Sequence, residues 1–262
     1  MVRNSSKGNR IFKWTYLVLI LAFLYLPILV LIGLSFNASV SRSTWGGFTF
    51  DWYIELFKDE SIMSALSVTL EVAVIATLVS VVIGTLGAIG MHAMKKRWFG
   101  VLSAVSNIPM TMPDMVTGVS LMLMFVFMNI PLGRVTMILA HIAFDIPYVL
   151  FSVLPRIQMM DQNLYEAALD LGCKPLKSLW KVIVPEISPG IVTGGLLAFT
   201  MSLDDFVISY FTSNTDQNLA MIVYSSARKG VEPTMYALSA LMFVTILVLL
   251  LIINRRSSLE LM

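Results

Sequence analysis

Five carboxylates stand inside long apolar stretches of this 262-residue sequence: Glu71, Asp114, Asp145, Asp204 and Asp205. The same stretches hold no lysine or arginine. An acid at the centre of a bilayer helix costs about 2.5 to 3.5 kcal/mol on insertion scales, so such groups turn toward protein or water and often serve transport. An excess of negative charge without an internal basic partner suits a positively charged solute. Adjacent helical residues diverge by about 100°, so Asp204 and Asp205 of "SLDDF" are expected to point apart, with one of them facing a pathway. At a rise of about 1.5 Å per residue, Asp114, Asp145 and Asp204 fall at similar depths along straight helices. Phe206, Tyr210 and Phe211 flank the paired acids, and a ring face over an ammonium group is worth about 0.5 to 2 kcal/mol; the plainer reading turns these rings to lipid. Glu71, near one end of its stretch, reads as a vestibule or packing residue. His141 and His92 read as hydrogen-bonded helix residues rather than proton carriers.

The elements that must carry these groups are membrane helices. Hydrophobic residues make up 57% of the chain and charged ones 13%, against about 25% charged in a soluble domain. One cysteine, Cys173, and two separated histidines form no internal disulfide and no metal-ligand spacing, and nothing points to nucleic acid. A bilayer core needs about 20 apolar residues per helix. Six stretches qualify, at 14–36, 64–94, 101–129, 135–155, 188–211 and 235–253. The expected fold is an all-α integral membrane protein of one domain, residues 1–262. The first stretch is too long for a signal-peptide core and lacks a clear cleavage site, so it reads as a retained span. Arg3, Lys7, Arg10 and Lys13, the "KKR" at 95–97, Arg156, Lys174, Lys177 and Lys181, and Arg255 with Arg256 all fall on one side if six spans alternate. The bias of basic residues makes that side, with both termini, cytoplasmic. Asn37, Ala38 and Ser39 match the glycosylation acceptor pattern, which would carry no meaning if the source were a bacterium.

Ser80, Gly84 and Ala88 recur at four-residue spacing, widened by Gly87 and Gly90, and small residues let helices approach closely in lipid. Pro109 and Pro113 are expected to kink or interrupt the third span.

Between the fourth and fifth spans, residues 161–187 are too polar to cross lipid and too patterned for a slack loop. Asp161 can cap a helix carrying Leu164, Ala167, Ala168 and Leu171 at one face, and Gly172 stops it. Pro175 suits the start of a second helix with Leu176, Leu179, Trp180 and Ile183 on its stripe, ended by Pro185. Such a pair buries its apolar stripe against the membrane, the rest of the chain, or a partner.

"EAALDLG", nine further residues and "VIVP" resemble the EAA loop of ABC importer permeases, with Glu166, Ala167, Ala168, Gly172, Val182, Val184 and Pro185 in register. The resemblance extends along essentially the whole chain, including "KKRWFG" and "HIAFDIPYVL". "PDMVTGVSLMLMF" and "LAFTMSLDDFVISYF" look most like the C-type permeases of spermidine/putrescine importers. Asp145 departs from that pattern, where an uncharged residue is expected.

The resemblance implies the type I importer permease fold, in the bacterial inner membrane, with the loop as a coupling helix seated in a cytoplasmic ATPase. Coupling would fall to Glu166, Ala167, Ala168, Gly172, Leu176, Leu179, Trp180, Val182 and Pro185. The substrate pathway would take Asp204, Asp205, Asp114, Asp145, Tyr210 and Phe206. The implied partners are a second permease subunit, an ATPase dimer, an extracytoplasmic polyamine-binding protein and membrane lipid. The chain has no GxxxxGK[ST] phosphate loop, so no cofactor is expected in it, ATP and Mg belonging to the ATPase. Other readings are an importer of the same architecture for another cation or organic solute, a proton-coupled secondary transporter, and an intramembrane aspartyl protease pairing Asp145 with Asp204.

Overall fold

The structure is a computed structural model describing residues 7–41 and 43–259, with side chains over 12–41, 43–161 and 163–248. Arg3 lies outside the described residues, and the side chains of Lys7, Arg10, Arg255 and Arg256 lie outside the described side chains. Among the described residues there are helices and one isolated bridge, Asn37 to Phe48. Packing divides the chain into two compact units, residues 1–63 with 225–262, and residues 64–224.

In the first unit α1 (Lys7–Ser35) lies along α13 (Pro233–Leu259), and α13 meets the short α2 (Asp51–Lys58). α2 is not among the elements expected from the sequence. Asn37 is buried, its amide donating to the carbonyl of Thr44 and its oxygen accepting from Ser39 and Gly46. It is a loop organiser and no glycan could reach it.

The second unit is built around α6 (Arg134–Met159), which has twelve buried residues. Two stripes of small residues grip it. On α3 (Glu60–His92), Ser80 donates to the carbonyl of Ile142, and a Cβ at Gly84 would sit 2.7 Å from that of Val149. On α10 (Ser188–Asp204), Gly190, Gly194, Ala198 and Ser202 are buried at four-residue spacing, and a Cβ at Gly194 would sit 2.9 Å from Val149 Cα. Lipid offers little hydrophobic drive between helices, so close backbone packing carries the association. Ala88, Val149, Val153, Ile157, Ile187 and Ala198 form the resulting core.

Two of the expected spans are broken, the third span as its prolines led one to expect. Residues 101–129 form α4 (Lys96–Thr111) and α5 (Asp114–Phe127), bent by 106°. Pro113 holds Met112 in an extended conformation, φ −81° and ψ 148°, whereas Pro109 stays inside α4. Residues 188–211 form α10 and α11 (Val207–Thr212), separated at Asp205 and Phe206. Straight-helix depths therefore no longer apply to Asp114, and the divergence expected of two helical neighbours no longer applies to Asp204 and Asp205. Phe12–Ser35, Glu60–His92 and Arg134–Met159 are each long and apolar enough to cross a membrane, and Pro233–Val248 is a shorter apolar helix.

Residues 161–187 fold as expected up to a point. Asp161 caps α7 (Gln162–Asp170), accepting from the Asn163 amide at 3.0 Å. Gly172, at φ +82°, closes it with the Cys173 amide on the carbonyl of Ala168 and the Gly172 amide on that of Leu169. Pro185 does not end the second helix. α8 (Pro175–Ser178) runs into a π-helical turn (Leu179–Ile183) and on through α9 (Val184–Glu186), which contains Pro185. The proline lacks an N–H for the carbonyl of Lys181, and the wider turn accommodates it. The real stop is at Ile187, where the path turns by 69° into α10. α12 (Leu219–Lys229), also unforeseen, completes the chain.

Candidate functional site

The helix stops at Asp204 because the next carboxylate takes over its backbone donors. Asp205 is extended, φ −66° and ψ 119°. Its Oδ1 accepts from the Ile208 amide at 3.2 Å and its Oδ2 from the Ser209 amide at 2.8 Å. This is how a carboxylate caps a helix, adjacent to the positive end of the α11 dipole. Asn218, before α12, closes the turn by donating to the Asp205 carbonyl and to Ser209 Oγ, both at 2.8 Å.

His141 on α6 pins the break from the other side. Its Nδ1 lies 2.6 Å from Ser202 Oγ on α10, its Nε2 2.9 Å from Ser209 Oγ on α11, and Nε2 is 3.5 Å from Asp205 Oδ2. The ring is 1% exposed, a hydrogen-bonded helix residue as the sequence suggests. His92 is exposed instead and lines a cleft described below.

The five acids divide by environment. Glu71 has a partner that the span boundaries concealed: Arg134, the first residue of α6, reaches Glu71 Oε2 and Asp216 Oδ1, each at 3.0 Å. The uncompensated count thus falls from five to four. Asp204, at the end of α10, and Asp114, in the first turn of α5, are exposed. Asp205 is the cap just described, its side chain 7% exposed. Asp145, one turn beyond His141 on α6, is 0% exposed, and neither of its oxygens has a hydrogen-bond partner among the described residues. A buried polar group left unmatched in this way costs about 1 to 3 kcal/mol, and more when charged.

The breaks gather these four. α11 packs on α5 so closely that a Cβ at Gly118 would sit 3.1 Å from the Phe211 ring. Asp114, Asp204 and Asp205 lie within electrostatic reach of one another, and Asp205 within reach of Asp145. Beside exposed Asp204, Phe206 stacks on Tyr224 with centroids 4.1 Å apart and tilts against Tyr210 at 5.4 Å. Tyr224 went unnoticed in the sequence because it sits on α12, far from the motif. Phe211 turns away toward α5.

At the opposite end of α10, the pair α7 to α9 shows a different chemistry. Leu171, Leu176 and Trp180 are 89%, 76% and 65% exposed, and Glu166, Ala167, Gly172 and Pro185 are exposed beside them. Ala168 and Val182 are half-buried. Leu179 points the other way, into a cleft of about 360 Å³ shared with Ile89, His92, Ile157, Tyr165 and Glu166. Leu171 belongs to the exposed face, although the sequence placed it on the stripe without a docking role.

The description "Binding-protein-dependent transport system inner membrane component" matches residues 80–258. The putrescine transport system permease protein PotI of Escherichia coli K12 is 38% identical over 238 residues, 87% of this chain and 85% of that one. The spermidine/putrescine transport system permease protein PotC is 34% identical in Haemophilus influenzae, over 90% of this chain and 93% of that one, and 34% identical in E. coli K12, over 93% and 92%. A bacterial ABC transporter involved in the import of the acidic polysaccharide alginate superposes with a TM-score of 0.73 at 16% identity, covering 95% of this chain and 94% of that one. The MetNI methionine ABC transporter, in inward-facing form, gives 0.63 at 18% identity, covering 76% and 96%; at such identities the likeness concerns the fold alone. With an all-helical fold shared with ABC importer permeases and a matched region covering more than half its length, this chain belongs to the family of binding-protein-dependent transport system inner membrane components.

Proposed function

We propose that this chain lines the translocation pathway of an ATP-driven importer of polyamines such as spermidine and putrescine. The observation that carries the reading is the cluster of Asp114, Asp204 and Asp205, within electrostatic reach of one another, with Asp145 within reach of Asp205 and no lysine or arginine in the stretches that hold them. A polyamine is a row of ammonium groups separated by methylenes. Asp204 and Asp114 are exposed and can replace part of its hydration, while Phe206 and Tyr210 supply apolar faces and cation–π contact. Asp205 acts chiefly by holding the break that presents Asp204. The relatives at 34 to 38% identity are permeases of putrescine and spermidine/putrescine transport systems, which supports the same cargo class.

In this reading the chain crosses the bacterial inner membrane six times, α4 with α5 and α10 with α11 each counting as one span, and both termini are cytoplasmic. It pairs with a second, related permease subunit, and an extracytoplasmic binding protein delivers the cargo. ATP and Mg bind in a separate ATPase dimer.

The coupling route follows from connectivity. The face bearing Leu171, Leu176 and Trp180 seats in the ATPase. A push there passes through the 69° turn at Ile187 into α10, a 17-residue helix about 25 Å long. Asp204 stands at its far end, so displacement at the loop moves the carboxylate. Ser152, donating to the Gly190 carbonyl at 3.0 Å, and the small-residue seam force α10 and α6 to move as packed surfaces. The cavity binds weakly, since a site that held cargo equally in both states would slow release.

The test is uptake of labelled putrescine and spermidine by proteoliposomes holding the complete complex, with loaded binding protein and ATP. ATP-dependent accumulation of either polyamine supports the reading. Its absence, with accumulation of an uncharged or acidic solute delivered in the same way, refutes it.

A further inference from the structure

Asp145 belongs to the acidic cluster, but no step described above uses it, and it has no hydrogen-bond partner among the described residues. Its carboxyl group is fully buried with both oxygens unmatched, whereas the polar groups at the break are matched: His141 by Ser202 and Ser209, Asp205 by two amides, Asn218 by the Asp205 carbonyl and the Met221 amide. A group so placed raises the energy of this conformation relative to any other in which it meets water or a cation.

The tie that joins α6 to the break lies one turn away. His141, one turn earlier on α6, is tied to both sides of the break, through Ser202 on α10 and Ser209 on α11. The charged or titratable groups near Asp145 are His141 and Tyr148 on its own helix, Asp205 at the break and Asp114 and Asp204 around it. Apart from His141, all are acids or a phenol, so among the described residues no lysine or arginine stands beside Asp145.

We propose that Asp145 is a cargo ligand shut away in this conformation, which receives one primary ammonium group of the cargo when the break and α11 move away from α6 while the small-residue seam of α10 stays packed. This rests on the polyamine reading above. It assigns to the chain a contact deeper than Asp204 and Asp114, and it makes the unmatched carboxyl group a bias toward the opened state. Cargo with more ammonium groups gains more from a further carboxylate, so a triamine depends on Asp145 more than a diamine.

The experiment uses the complete complex carrying Asp145→Cys with Cys173→Ser, and partner subunits free of accessible cysteines. The probe is 2-aminoethyl methanethiosulfonate, a thiol reagent bearing a primary ammonium group. Modification is expected to be slow at rest and about tenfold faster during ATP turnover with loaded binding protein, and to be slowed by excess spermidine. No modification in either condition overturns the proposal, as does equal modification in both. Should that variant fail to assemble, Asp145→Asn is tested for uptake at saturating loaded binding protein. A several-fold loss, larger for spermidine than for putrescine, with unfolding temperature unchanged or raised, supports a ligand. Unchanged uptake of both, in a complex as stable as or more stable than the original, reduces Asp145 to a structural residue. Because labelling reads the opening of the site without regard to cargo, it is separable from the polyamine reading, which fails if the unsubstituted complex accumulates neither polyamine.

Discussion

The two ends of α10 invert each other's burial pattern. At the Ile187 end, Leu171, Leu176 and Trp180 stand in the open, apolar surface that water does not favour. At the Asp204 end, His141, Asp145, Ser202 and Asp205 are hidden among helices, polar groups that lipid does not favour. The first is a surface to be covered by another chain. The second is a site to be uncovered by motion, and the stiff helix between them links the two events.

The largest effect is expected where the comparison is cheapest to break. Replacing Leu176 and Trp180 together by glutamate puts two charges on the exposed apolar face and is expected to abolish co-purification of the ATPase, while the permease pair stays assembled; full retention would show that this face docks nothing. Next, His141→Ala leaves Ser202 and Ser209 short of a partner inside the protein and is expected to lower stability by about 2 kcal/mol, read from thermal unfolding in detergent. Adding Ser202→Ala to it should then cost almost nothing more, because both changes delete one hydrogen bond; a fully additive loss would break the staple reading. Asp205→Ala removes the cap of α11, expected at about 1 kcal/mol in the same assay, whereas Asp205→Asn keeps most of it. Smallest is Arg134→Gln, at under about 1 kcal/mol because its pairs with Glu71 and Asp216 are solvent-exposed, and less still at high salt.

The sequence was most informative where function is written locally. Glu166 to Pro185 lie within one short segment, and the glycine stop at Gly172 appears where the spacing puts it. Three of the expected spans, α1, α3 and α6, were equally plain, since apolar length decides them. The breaks were harder. Pro113 announces one, but Pro109, four residues earlier, carries the same signal and breaks nothing. No residue type announces the other, because Asp205 ends α10 only by capping α11, a contact that exists once Ser209 and Asn218 have come together. The stripe Gly190, Gly194, Ala198 and Ser202 was as legible as Ser80, Gly84 and Ala88, and was passed over because the aspartates drew attention to the other end of the helix. Arg134 and Glu71 are 63 positions apart, and only the packing of α3 against α6 reveals that one acid is already neutralised. Asp145 is the extreme case: its sequence position makes it one acid among five, and its lack of partners is visible only in three dimensions.

The central claim is that the carboxylates left without a basic partner draw a cation through this chain. Uptake of labelled spermidine by the reconstituted complex, with Asp204→Asn and Asp114→Asn combined, tests it most directly. The account predicts at least a tenfold fall, about 1.4 kcal/mol or more of lost interaction with the moving cargo; uptake equal to that of the unsubstituted complex would contradict it.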